Sequence, residues 1–215
     1  MTALALVGAA LIGYLLGSLS GSLLLGRLRG VDIRALGSGN AGGTNALRTL
    51  GWRFALAVIV IDVGKGALAA FLAPWLLNAA LDSAVSTTSL AATAAFAAVL
   101  GHVWPLYFRF RGGKGAGTAV GAIAMVAPWC ILPMFLVWLI TIVGTGYVGL
   151  ATILAGLSLV PAMWMLAPEP LPPALGALAI ALAVTLVFTH RSNLARLRSG
   201  SENRFEKARL LRRRH

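Results

Sequence analysis

Charge is scarce in this chain. Only 11% of its 215 residues are Asp, Glu, Lys or Arg, against about 25% in an ordinary soluble domain. So little charge cannot cover a water-exposed surface. With 59% hydrophobic residues and a mean hydropathy of +0.86, the implied solvent is lipid. Acidic residues are scarcest, six against 18 Lys and Arg. Only Asp62 lies inside an apolar stretch, which excludes a metal site of several carboxylates on facing membrane helices. The single cysteine, Cys130, excludes an intramolecular disulfide, and between Trp129 and Ile131 it reads as a packed apolar thiol. The three histidines, His102, His190 and His215, are scattered, so no metal centre and no cofactor is expected. A basic segment ahead of the first apolar stretch is also missing, so that stretch reads as a retained helix and not a cleaved signal.

What is present is an alternation of apolar runs and basic blocks. The runs cover roughly 3–25, 54–78, 88–108, 118–143, 147–167 and 172–189. Each is near the ~20 residues that cross a bilayer. Of 18 Lys and Arg, 17 fall in 27–53, 109–114 and 191–214, and the exception is Lys65. The other connections carry Asp82 and Glu169 and no cation. That asymmetry places the basic blocks and the C-terminus in the cytoplasm and the N-terminus outside. It also argues against nucleic acid as the partner of the +12 net charge. Parity then requires an even number of crossings between the second and third blocks. Pro128 and Pro133 interrupt the 118–143 run, so two short helices there give seven crossings. The expected fold is all-α: one polytopic membrane helix bundle over 1–215, without internal repeats. Gly13, Gly17 and Gly21 share a face of the first helix and suit close packing, with Ser18 and Ser22 beside them. The tail 200–215 is expected to lie as a helix on the anionic inner leaflet.

Chemistry concentrates in three loops, 26–53, 101–118 and 190–203. In Gly37-Ser38-Gly39-Asn40-Ala41-Gly42-Gly43-Thr44-Asn45, four glycines let successive amides point into one concavity and hold an anion. Arg48 adds a cation matched to phosphate oxygens. The second loop ends in Gly112-Gly113-Lys114-Gly115 at the start of a helix, another anion position, although the Walker spacing is absent. The third block opens with His190, Arg191, Asn193 and Arg196 and continues to Glu202; on a helix, His190 and Asn193 share a face. Asp62 and Lys65, i,i+3 in an apolar run, can neutralise each other, or Lys65 can add charge to the floor of a site. A transporter of phosphorylated solutes would share the buried charge and glycine breaks, but it should show repeated halves with polar residues at mid-depth. A non-catalytic scaffold would not need the glycine–asparagine loops.

These residues resemble the signatures of the bacterial acyl-phosphate-dependent glycerol-3-phosphate acyltransferase family (PlsY). Gly-Ser-Gly-Asn-x-Gly-x-Thr-Asn-x-x-Arg stands at 37–48, Gly-His-x-x-Pro…Gly-Gly-Lys-Gly at 101–115, and His-Arg-x-Asn-x-x-Arg-Leu…Gly-x-Glu at 190–202. Asp62-x-x-Lys65-Gly66 also fits. Gly43 departs from the usual alanine and Ala116-Gly117 from the usual Val-Ala, both by small residues. The resemblance implies transfer of a fatty acyl group from acyl phosphate to the 1-hydroxyl of glycerol 3-phosphate, giving lysophosphatidic acid and phosphate. That is the first step of phospholipid synthesis, carried out at the cytoplasmic face of the bacterial inner membrane with neither cofactor nor metal. Membrane lipid and the soluble enzyme that makes acyl phosphate are the implied partners. The implied roles are as follows. Ser38, Gly39, Asn40, Gly42, Thr44, Asn45 and Arg48 hold one phosphate, with Ser38 also near the reacting centre. His102, Gly112, Gly113, Lys114 and Gly115 hold or neutralise the other, with Arg191 and Arg196 adding charge. His190 is a candidate base, with a substrate phosphate as its rival, and Asn193 can donate to the oxyanion. Asp62, Lys65 and Glu202 support from behind.

Overall fold

The computed structural model describes residues 1–81 and 84–205. Asp82, His215 and most of the tail expected to lie on the membrane therefore fall outside the described residues; 201–205 carry no helix. All regular structure among the described residues is helical. The order is α1 (Thr2–Gly17), α2 (Gly21–Leu28), α3 (Gly43–Leu50), α4 (Trp52–Ala80), α5 (Thr87–Val103), α6 (Ala116–Val126), α7 (Ile131–Thr145), α8 (Val148–Leu166), α9 (Pro173–Thr189) and α10 (Arg191–Arg198).

Four stretches are long and apolar enough to span: 52–80, 87–108, 128–145 and 148–166. The bent pairs α1–α2 (42°) and α9–α10 (51°) raise this to six if each is one span. The seventh apolar helix, α6, has 11 residues, about 16 Å of rise against about 30 Å of hydrocarbon. The 118–143 run does break at its first proline. Ala127 leaves the helix and 128–130 form a 3₁₀ turn that starts α7. Pro133 causes no break, because it sits in the first turn of α7, where the missing N–H would have had no partner.

Small residues set the packing. A side chain on Gly13 or Gly17 would collide with the Ala94 or Ala98 carbonyl of α5, so α1 and α5 touch backbone to backbone. Gly21 lies beyond the break at Ser18–Ser20 and faces Val58 and Ile61 of α4 instead. Gly66 and Gly121 allow the same contact between α4 and α6, each facing a carbonyl of the other helix. The resulting slab of α1, α4, α5 and α6 stands against α7, α8 and α9. Between α6 and α7 the two groups diverge, joined at the far end by the 127–130 turn. The gap between them is the cleft described below.

Candidate active site

The three basic loops meet at one end of the bundle. A side chain on Gly113 would meet the Ala41 carbonyl at 2.6 Å, so the first and second loops are in direct contact. Arg34 fastens them further. Its Nη1 donates to the carbonyls of Phe108 (3.2 Å) and Arg111 (2.9 Å), while Asp32 holds the guanidinium from the other side at 2.8 Å. The third block joins through Lys114, whose Nζ donates to Asn193 Oδ1, and through Thr189 Oγ1, which donates to the Lys114 carbonyl at 3.0 Å.

A cavity of about 490 Å³ opens where the loops meet and runs between α6 and α7. Its loop end is lined by Ser38, Asn40, Thr44, Arg48, Lys114 and His190, among others. Two helix N-termini face it, α3 through Gly42, Gly43 and Thr44, and α6 through Gly115, Ala116 and Gly117. The first amides of a helix have no intrahelical partner and carry the positive end of its dipole, so each terminus is an anion position. Arg48 has no ion pair among the described residues and is exposed on this wall. The other end of the cavity is apolar, lined by Val63, Val120, Met134, Phe135, Trp138 and Leu186.

Behind the cations runs a chain of bonds. Asn193 Nδ2 donates to Glu202 Oε1 (2.6 Å), and Arg196 Nε donates to Glu202 Oε2 (2.6 Å). Glu202 is 9% exposed and so orients both. Burial, then the nearby Arg196 charge, lowers the Lys114 pKa to about 8. His190 donates from Nδ1 to the Leu186 carbonyl at 2.8 Å, which leaves Nε2 with its lone pair. Burial, then the Lys114 charge, lowers the His190 pKa to about 4, so the ring is neutral at pH 7.

Several expected ligands stand elsewhere. Gly39, Gly112 and Gly113 do not line the cavity. Their amides are used by the carbonyls of Leu36, Val103 and His102, at 3.0, 3.1 and 3.1 Å, so these glycines shape the loops. Asn45 lines the cavity, but its side chain bridges its own loop, donating to Ile33 and Leu36 and accepting from Ser38 N. Arg191 is off the wall, stacked 4.4 Å from the Phe188 ring centroid. Lys65 does not reach the floor of the site. It turns toward α1 and His102. Asn193 gives one N–H to Glu202 and accepts from Lys114 on its oxygen.

A family model described as Glycerol-3-phosphate acyltransferase matches residues 7–200. The chain belongs to this family. It is 42% identical over 204 residues to the glycerol-3-phosphate acyltransferase of Shouchella clausii (strain KSM-K16), covering 94% of this chain and 97% of the relative. It is 38% identical over 195 residues to that of Aquifex aeolicus (strain VF5), covering 91% and 96%. Among solved structures it resembles PlsY (YgiH), an integral membrane glycerol 3-phosphate acyltransferase. The glycerol 3-phosphate form of that protein gives a TM-score of 0.80 at 36% identity, over 93% of this chain and 95% of the other. The lysophosphatidic acid form gives 0.79 at 34%, over 94% and 97%. This acyltransferase is thus an all-α, multi-pass membrane protein.

Three contributors to this cleft and its loops were not read from sequence. Gly149 of α8 lies directly behind Asn193, and any side chain there would strike the Asn193 amide. Thr189 ties α9 to Lys114, and Arg34 clips the loops. A glycine at the second position of an apolar helix was a visible signal for the first; nothing in the spacing marked the other two.

Proposed function

We propose that this enzyme transfers a fatty acyl group from acyl phosphate to the 1-hydroxyl of glycerol 3-phosphate, giving lysophosphatidic acid and inorganic phosphate. It works as one membrane-embedded unit with the loop end of the cleft at the cytoplasmic face of the inner membrane. The observation that carries this reading is the cleft itself: two helix N-termini and the cations Arg48 and Lys114 at one end, and an apolar slot at the other. Both proposed substrates bring a phosphate, and the donor alone brings a long tail.

The glycerol oxygen attacks the acyl carbonyl, the bond from that carbon to the bridging oxygen breaks, and phosphate leaves with the electron pair. The leaving group of a mixed anhydride is good without protonation. Catalysis therefore needs alignment and stabilisation of developing negative charge, which the helix termini and Lys114 supply. Asn193 and Glu202 hold Lys114 in place, and the second N–H of Asn193 is free to meet the oxyanion. His190 Nε2 accepts a hydrogen bond from the attacking hydroxyl. Its basicity, lowered to about 4, favours a substrate phosphate as the group that keeps the proton.

The test is an assay of the detergent-purified full chain with acyl phosphate, with and without glycerol 3-phosphate. Phosphate release that depends on the acceptor and matches lysophosphatidic acid formed is the expected result. Release without acceptor would make it a hydrolase. Uptake of glycerol 3-phosphate into proteoliposomes without release would make it a transporter.

A further inference from the structure

His102 and Lys65 form a unit that the mechanism above does not use. The break between α1 and α2 frees the Leu19 carbonyl from helical bonding and turns it toward α4. Lys65 Nζ sits among three acceptors: Leu19 O at 3.1 Å, Asp62 Oδ1 at 3.0 Å and His102 Nδ1 at 2.9 Å. An ammonium has three protons, so this set uses all of them. The backbone N–H of Gly21 donates to the same Asp62 oxygen at 3.0 Å and fixes the carboxylate.

This arrangement decides which nitrogen of His102 carries hydrogen. Were Nδ1 protonated, two donors would face each other across 2.9 Å, with Asp62 at 3.4 Å as the only relief. Nδ1 must therefore be the acceptor, and the neutral ring carries its proton on Nε2. Nε2 has no hydrogen-bond partner among the described residues. The residue is 3% exposed, yet it lines the cleft, and Nε2 lies so close to Gly113 that no side chain fits between them. An unpartnered N–H on a side chain that lines the cleft thus stands beside the loop that leads into α6.

We propose that His102 Nε2–H donates to a phosphate oxygen of a substrate seated at the N-terminus of α6, and that Lys65 and Asp62 are positioning residues whose task is to hold His102 in that tautomer. This rests on the phosphoryl-binding reading of the cleft. The two histidines then present opposite chemistry to the substrates, a lone pair from His190 and a proton from His102.

Two measurements test it. Nitrogen-15 spectra of the full chain labelled at histidine, in detergent at neutral pH, report the tautomer directly, with His102→Gln giving the assignment. The expected state is Nε2 protonated and Nδ1 bare, with the Nε2 signal moving on addition of glycerol 3-phosphate or inorganic phosphate. A proton on Nδ1, a doubly protonated ring, or an Nε2 signal indifferent to both anions in an active enzyme would overturn the proposal. Failure of the wider reading would appear separately, as wild-type protein that makes no lysophosphatidic acid. The second measurement compares two amides. His102→Gln ends near Nε2 and keeps a donor there; His102→Asn ends near Nδ1 and keeps only the partner of Lys65. His102→Asn should raise KM for one phosphorylated substrate by about tenfold or more, as expected for one lost charge-assisted bond, while His102→Gln recovers most of it. The substrate whose KM responds identifies the phosphate involved. Equal KM values in the two variants, or the reverse ranking, would reduce His102 to a structural role.

Discussion

The two ends of the cleft are built on opposite principles. At the loop end a chain of bonds fixes part of the polar lining, while Arg48 has no ion pair among the described residues. Lys114 is held by Asn193, Asn193 by Glu202, and Glu202 by Arg196, while Arg34 pins one loop to the next. At the other end α7 packs on α8 and leaves most of its surface to lipid; Phe135 is 52% exposed although it lines the cavity. Charge stabilisation requires dipoles that do not reorganise, whereas an alkyl tail needs only area out of water. The rigid end should therefore control rate, and the loose end should control which tails are accepted.

The strongest way to break this comparison is at Lys114. Lys114→Ala, and Arg48→Ala beside it, should each cost about 100-fold or more in kcat/KM for every acyl chain tested, with extractable protein unchanged. A loss confined to some chain lengths would show that the ends are not separable. Gly149→Ala should lower kcat about tenfold by displacing Asn193, with a melting temperature within a few degrees of wild type. His190→Ala should also cost roughly tenfold, because it removes an orienting acceptor and not the base; a loss a hundred times greater would restore His190 as the base.

A pH series sharpens the comparison further. The Lys114 pKa is lowered to about 8, so the free enzyme loses this cation as pH rises through that value. KM for the phosphorylated substrate should climb above about pH 8 and stay flat between about 6 and 7.5, and Lys114→Arg should remove the climb. The smallest effect belongs to the loose end. Phe135→Ala or Val120→Phe should shift chain-length preference about two- to fivefold and leave KM for glycerol 3-phosphate within a factor of two.

Much of this was legible from residue order. The clustering of cations forecast loops that meet, and Ala41 does touch Gly113. The split of the 118–143 run followed from Pro128, because a proline inside a helix forces the issue locally. Three glycines expected to bind an anion, Gly39, Gly112 and Gly113, instead give their amides to carbonyls of their own loops, since sequence shows that an amide exists but not which carbonyl claims it. Lys65 shows the same limit. Its spacing from Asp62 was readable, but its true environment needs the Leu19 carbonyl, 46 positions away and available only because α1 breaks. Long-range acceptors of this kind leave no periodic trace.

The outward exposure of Val120 and Phe135 on the walls of the cavity has one more consequence. A slot open along its flank lets a single-chain lipid slide out sideways into the leaflet while its headgroup stays at the same depth. Discharge then requires no crossing of water and no rotation through the bilayer, so the newly made amphiphile is delivered already oriented among its neighbours.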